Sequence, residues 1–168
     1  MNKNSSDHDF NFAVLTVSDT GYQGTRDDAS GDIAVKLMTG FGYTKKYREI
    51  LPDQVDLISA KLIEWAESGD VDVILTTGGT GVSPRDRTPE ATKLVLDYEI
   101  PGIPEAIRIV TSKFTEMSML TRGVAGIRCK CLIVNLPGSP KGVEQGLEVI
   151  GNVIRHTIDI SQDTDELH

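Results

Sequence analysis

Val71-Asp72-Val73-Ile74-Leu75-Thr76-Thr77-Gly78-Gly79-Thr80-Gly81 runs from an apolar stretch straight into a turn of glycine and threonine, and its reading decides the fold. A short continuous run of Val, Ile and Leu suits a strand buried on both faces of a parallel sheet. Gly78, Gly79 and Gly81 permit positive φ and let backbone N–H groups approach an anion with no Cβ in the way. Thr76, Thr77 and Thr80 add hydroxyls, which makes the turn a phosphate cradle in composition. A plain tight turn remains equally open from these residues alone. The segment is not a P-loop, because the Gly-Lys-Ser/Thr ending is absent, nor does it carry the three spaced glycines of the dinucleotide fingerprint.

The flanking sequence repeats the pattern of strand, loop and helix. Phe12 to Val17 reads as a second buried strand, ending in the loop signature Ser18-Asp19-Thr20-Gly21. Ile33, Leu37 and Phe41 then recur at helical spacing before the stop signals Gly40 and Gly42. Tyr43 to Leu51 reads as a more polar strand, and Pro52-Asp53 precedes a helix marked by Val55, Ile58, Leu62 and Trp65, with Asp53 at or near its N-cap. After the glycine turn, Thr88-Pro89-Glu90 predicts a helix from Pro89 to about Leu96, with Thr88 as N-cap. Further helical stretches are expected from Glu105 towards Phe114 and over a turn or two between Met117 and Arg122. Val124 to Arg128 and Lys130 to Asn135 read as adjacent strands, and Leu136-Pro137-Gly138-Ser139-Pro140 leads into a last helix from Lys141 to about Ile160, with Val143, Leu147, Ile150 and Ile154 on one face. Strands alternating with helices imply a mainly parallel sheet covered on both sides, in the three-layer α/β/α class.

The chain of 168 residues fits one domain, expected over residues 10–160, between a polar, disordered tail at 1–9 and a frayed one at 161–168. Its 39% hydrophobic and 25% charged residues are globular proportions. The 17 basic and 25 acidic residues leave a net charge of −8, which disfavours nucleic acid and anionic membrane surfaces while allowing a local basic pocket. No secretory signal and no run approaching roughly 20 apolar residues is evident, so a cytoplasmic protein is expected. Cys129 and Cys131, two apart on an expected strand, read as buried free thiols, and the scattered His8, His156 and His168 give no structural metal set.

In open α/β sheets ligands lie beyond the carboxyl ends of the strands, which singles out three loops: Ser18-Asp19, Thr76 to Gly81, and Leu136 to Pro140. Arg85-Asp86-Arg87 follows the glycine turn just before a helix start, and arginine suits bidentate phosphate contacts. Asp86 pairing with Arg85 or Arg87 on the surface is the plainer alternative, as a simple helix cap is for Asp53. Two carboxylates meeting at a phosphate site would hold Mg²⁺ or steer a nucleophile.

Thr76 to Gly81 with Arg85-Asp86 and Thr88-Pro89-Glu90-Ala91, together with Asn135-Leu136-Pro137-Gly138-Ser139-Pro140-Lys141, closely resembles the molybdenum cofactor biosynthesis proteins MoaB and MogA. Val17-Ser18-Asp19 and Leu51-Pro52-Asp53 also fall where that family places them, and the likeness runs from about Phe12 to Ile158. Pro101-Gly102-Ile103-Pro104-Glu105-Ala106 and Ser118 to Arg128 look more like the MoaB branch. The resemblance implies a trimer or hexamer that binds molybdopterin, a pterin dithiolene with a terminal phosphate. For the MogA branch it implies adenylyl transfer from Mg·ATP to that phosphate, with release of pyrophosphate. Carried over by motif, Asp53 and Asp86 are the catalytic carboxylates and the ones to hold Mg²⁺. Thr76, Thr77, Gly78, Gly79, Thr80 and Gly81 hold the ligand with Gly138, Ser139 and Pro140, beside Ser18, Asp19 and Arg85. A non-catalytic molybdopterin carrier of the MoaB branch is the alternative, and Mg²⁺-dependent nucleotide pyrophosphatase action, as in competence-damage-type proteins, a remoter one.

Overall fold

The computed structural model describes residues 9–162, so the expected tails at 1–9 and 161–168 lie outside them except for residues 9, 161 and 162. The elements are strands β1 Asn11–Val17, β2 Thr44–Leu51, β3 Val73–Thr77, β4 Tyr98–Glu99, β5 Ala125–Arg128 and β6 Cys131–Leu136. The helices are α1 Asp19–Tyr22, α2 Ala29–Gly40, α3 Val55–Glu67, α4 Thr88–Lys93, α5 Gly102–Thr111 and α6 Pro140–Gln162, with a 3-10 turn at Glu116–Leu120. The six strands lie in the order β2-β1-β3-β6-β5-β4. β2, β1, β3 and β6 are parallel, while β5 runs antiparallel to both β6 and β4.

Alternation along the central strands divides the core into two layers. Phe12 and Val14 of β1, Val73 and Leu75 of β3, and Leu132, Val134 and Leu136 of β6 pack against α2, α5 and α6. Ala13, Leu15, Val17, Ile74 and Ile133 face the opposite side, under α3 and α4. Both faces are therefore apolar, which is why these strands read as continuous hydrophobic runs. β2, at the edge, keeps the charged side chains of Lys45, Lys46 and Glu49 in or near solvent, a pattern that discourages pairing with another edge.

Several elements depart from the sequence reading. The buried stripe of α2 is Ser30, Gly31, Ala34 and Met38, one residue away from the expected Ile33, Leu37 and Phe41. Gly31 lies so close to the Asp28 carboxylate, which caps this helix, that a Cβ there would meet Oδ2 at 2.1 Å. Small residues thus let α2 approach the sheet, and its bulkier apolar side chains pack at the flanks. Asp53 stands next to the N-cap of α3, which is Gln54 with no side-chain cap bond, whereas Arg87 occupies the N-cap of α4 in place of Thr88. Cys129 is exposed rather than buried, because it and Lys130 form the two-residue β5–β6 turn with φ of +46° and +70°. Cys131 alone is buried, and burial pushes its thiol far above the usual range. α6 continues through Ser161 and Gln162, where Ser161 Oγ donates to the Lys130 carbonyl and Gln162 Nε2 to Asp72 Oδ1.

Candidate functional site

Register brings three strand ends to one rim, since Thr16 of β1 pairs with Thr77 of β3, and Thr77 pairs with Leu136 of β6. The chain leaves β1 towards β2 on one side and enters β3 on the other, so the gap between β1 and β3 is the topological switch point of the sheet. A hollow of about 270 Å³ opens there. Thr77, Gly78 and Gly79 form its floor, with Ser18, Asp53 and Asp86 around one side, Gly138 and Pro140 on another, and residues 26–30 closing the rest.

The backbone at the floor is held by close contacts that exclude side chains. Gly78 has φ +93°, and a Cβ on it would meet the Val17 carbonyl oxygen at 2.3 Å. Gly79 has φ +64°, and its Cβ would meet Thr88 Oγ1 at 2.3 Å and Asp53 Oδ1 at 3.0 Å. Thr88, fully buried, donates its hydroxyl to the Gly78 carbonyl at 2.9 Å and its N–H to the Gly79 carbonyl at 3.1 Å. That is why Thr88 does not cap α4: its oxygen serves the glycine turn. Thr77 Oγ1 donates to the Pro137 carbonyl at 2.8 Å, and Ser30 Oγ to the Gly138 carbonyl at 2.6 Å, so one hydroxyl holds the Gly138 loop to the end of β3 and the other holds it to α2. Among the described residues, the amides of Gly79, Thr80 and Gly81 donate to no protein acceptor, and of the three Gly79 lines the hollow.

The carboxylates of the rim are arranged reciprocally. Asp53 Oδ2 accepts the Asp19 N–H at 3.2 Å, and Asp19 Oδ1 accepts the Asp53 N–H at 3.1 Å. Asp19 Oδ2 also accepts from Arg85 Nε at 3.0 Å and Nη2 at 2.6 Å. Asp86 accepts the Ser83 N–H at 3.0 Å on Oδ2. The Arg85 guanidinium bond, followed by the Asp53 N–H, holds the Asp19 carboxyl below the ordinary carboxylate range. Burial holds Asp53 above that range, and the charges of Asp19 and Asp86 push it the same way against the Asp19 N–H bond and Arg85. An Asp19→Asn variant keeps the N–H that Asp53 accepts while deleting one like charge. The Asp53 carboxyl is accordingly expected to titrate at lower pH in that variant, followed by carbon-detected NMR, and an unchanged or raised midpoint contradicts the electrostatic account.

The structure gathers most of the sequence-predicted residues here but redistributes some. Ser18, Asp53, Thr77, Gly78, Gly79, Asp86, Gly138 and Pro140 line this hollow. Asp19 and Arg85 stand beside it as an ion pair, so Arg85 is engaged by Asp19 instead of projecting into the hollow, and Asp86 is not its partner. Thr76 points into the core, where its Oγ1 accepts from Asn135 Nδ2 at 2.8 Å, and so is not at the ligand surface. Ser139 caps the start of α6 by accepting the Gly142 N–H, and with Thr80 and Gly81 it lines a shallower hollow on the other side of the glycine turn. Sequence reading missed Asp28 and Ser30. The Asp28 side chain, 7% exposed, receives Thr16 Oγ1, the Gly31 N–H and Arg48 Nη2 and so ties β1, α2 and β2 together at the rim. Its signal was the run Asp28-Ala29-Ser30-Gly31, a helix start in what otherwise reads as a polar connection.

Fold and site define an α/β/α protein with a switch-point hollow, floored by glycine and rimmed by carboxylates. The chain belongs to the molybdenum cofactor biosynthesis family: a family model described as "Probable molybdopterin binding domain" matches residues 13–156. It is 41% identical over 151 residues to the molybdopterin adenylyltransferase of Escherichia coli K12, covering 86% of this chain and 77% of that protein. It is 40% identical over 153 residues to the molybdenum cofactor synthesis protein cinnamon of Drosophila melanogaster, covering 90% of this chain but only 26% of that one, so it spans about a quarter of that relative's length. Among solved structures, the molybdopterin biosynthesis enzyme MoaB from Thermus thermophilus superposes with a TM-score of 0.86 at 43% identity, covering 90% of this chain and 96% of that one.

Proposed function

We propose that the chain is a molybdopterin adenylyltransferase that joins AMP from ATP to the terminal phosphate of molybdopterin. The observation that carries this reading is the meeting of Asp53, Asp86, the Gly78–Gly79 turn and Gly138 around one hollow. A phosphate oxygen of the pterin attacks the α-phosphorus of ATP, the bond to the bridging oxygen of the β-phosphate breaks, and pyrophosphate leaves with that electron pair. No protein nucleophile is required. The chain's part is to bring two anions together and to limit the repulsion between them.

The residues divide that work by chemistry. The amide of Gly79, at the floor of the hollow and donating to no protein acceptor among the described residues, presents partial positive charge there. Asp27, Asp28, Asp53 and Asp86 line the hollow against Arg26, with Asp28 already paired to Arg48, so a bare polyanion would meet net negative charge. That balance suits a nucleotide that arrives with its divalent cation. Carboxylate oxygen donors fit Mg²⁺, which would be held by Asp53 and Asp86 and would offset charge on the leaving pyrophosphate.

The test is release of pyrophosphate by the purified chain. Release is expected only with molybdopterin, ATP and Mg²⁺ together, and omission of any one should leave the background rate. Pterin binding without release from the complete mixture would overturn the assignment in favour of a carrier, and release from ATP without pterin would favour a pyrophosphatase.

A further inference from the structure

We propose that Arg122 is a positioning residue for Asp86, acting from outside the hollow by clamping the loop that carries this carboxylate. For its effect on turnover the proposal rests on the adenylyl-transfer reading, whereas its effect on the loop does not. Arg122 lies beyond the 3-10 turn and does not line the hollow. Its Nε donates to the Gly81 carbonyl and its Nη2 to the Asp86 carbonyl, both at 2.7 Å. Nη1 pairs with Glu90 on α4, and the Arg122 N–H donates to the Thr80 carbonyl at 2.8 Å. One side chain therefore grips the start of the loop, its end and the helix behind it.

Inside that clamp the loop closes on itself. The Asp86 N–H donates to the Ser83 carbonyl at 2.9 Å, and the Ser83 N–H donates to Asp86 Oδ2 at 3.0 Å. The inner pair aims the carboxylate relative to its own turn, but nothing in that pair fixes the turn relative to the floor of the hollow. Arg122 supplies this connection, since Gly81 continues the glycine turn and Glu90 belongs to the helix that follows. A planar guanidinium can reach three acceptors in fixed directions, whereas a lysine ammonium is a single point that cannot span them. Glu90 keeps one carboxylate oxygen buried without a hydrogen-bond partner, so its charge depends on Arg122. Removing Arg122 alone would strand that charge, and the informative variant neutralises both.

The experiment compares Arg122→Gln/Glu90→Gln with Glu90→Gln and with the unaltered chain. In the double variant the Ser83 and Asp86 amides are expected to exchange with solvent roughly tenfold faster while the amides of β3 and β6 keep their protection. Unchanged protection in the loop overturns the proposal, and so does loss that spreads into β3 and β6, since Arg122 would then hold the fold and not Asp86. Pyrophosphate release should fall about 10- to 100-fold with pterin affinity retained, the usual cost of removing a partner that orients a ligand group. In an Asp86→Glu background, where the carboxylate is already displaced, the same change should cost less than about threefold. Equal losses in both backgrounds would mean that Arg122 does not act through Asp86. If the unaltered chain releases no pyrophosphate, the adenylyl-transfer reading fails, and the exchange measurement still decides the placement of Asp86.

Discussion

Asp86→Asn is expected to reduce pyrophosphate release by about 10²- to 10³-fold, the scale on which a preorganised electrostatic group acts, and Asp53→Asn to do the same. Both substitutions are isosteric, and the structure says why the fold should survive them. An asparagine oxygen at position 86 can still accept the Ser83 N–H, and one at position 53 can still accept the Asp19 N–H. The two differ in stability. Burial raises the Asp53 carboxyl in the folded chain above its unfolded value, so at neutral pH its charge opposes folding, and that opposition is relieved as pH falls through the raised folded value. Asp53→Asn is therefore expected to melt higher than the unaltered chain at pH 7, with the gap narrowing as pH falls from the raised folded value and gone below the unfolded value of about 3.9. A carboxylate kept where it destabilises the fold is what a working site would require. An Asp53→Asn variant that melts lower at pH 7, or either variant with undiminished turnover, contradicts this account.

How much of this was legible in the sequence depended on how local the determining contacts are. β1, β3 and β6 were readable because burial on two faces demands an unbroken apolar run, and α6 because its buried side chains keep strict helical spacing. β4 was missed: two exposed residues, Tyr98 and Glu99, have no period to detect. The β5–β6 turn places Cys129 and Lys130 at positive φ, where Asn-Gly would announce it, so by residue type Cys129 reads as a buried strand residue. At the site, glycines and carboxylates advertised themselves by type, but their partners did not. Arg85 reads as a phosphate ligand until Asp19, which the fold brings beside it from the end of β1, is seen to engage its guanidinium. Thr76 and Thr77 are adjacent in sequence, yet the pleat sends one into the Asn135 network and the other towards Pro137. Arg122 carries no local motif, because each acceptor of its side chain lies more than thirty residues away.

Gly78→Ala is expected to be the most damaging small substitution at the rim, with a destabilisation of about 2–5 kcal/mol from a left-handed backbone and an overpacked contact combined. The comparison that isolates the cause is Gly24→Ala. Gly24 also has positive φ, at +72°, but a Cβ there would have no neighbour within 4 Å, so it should cost only the backbone preference of about 1–2 kcal/mol. At Gly78 the added methyl must displace the Val17 carbonyl, which is main chain at the end of β1 and cannot rotate away. The displacement would spread β1 from β3 at the switch point and pull Gly79 from the Asp53 carboxylate. Pterin affinity should thus fall with stability for Gly78→Ala and stay unchanged for Gly24→Ala. Denaturant midpoints at constant slope, read with pterin titrations, separate the cases. Equal destabilisation by the two alanines would mean that the glycine turn is shaped by backbone preference alone and not by its contact with the end of β1.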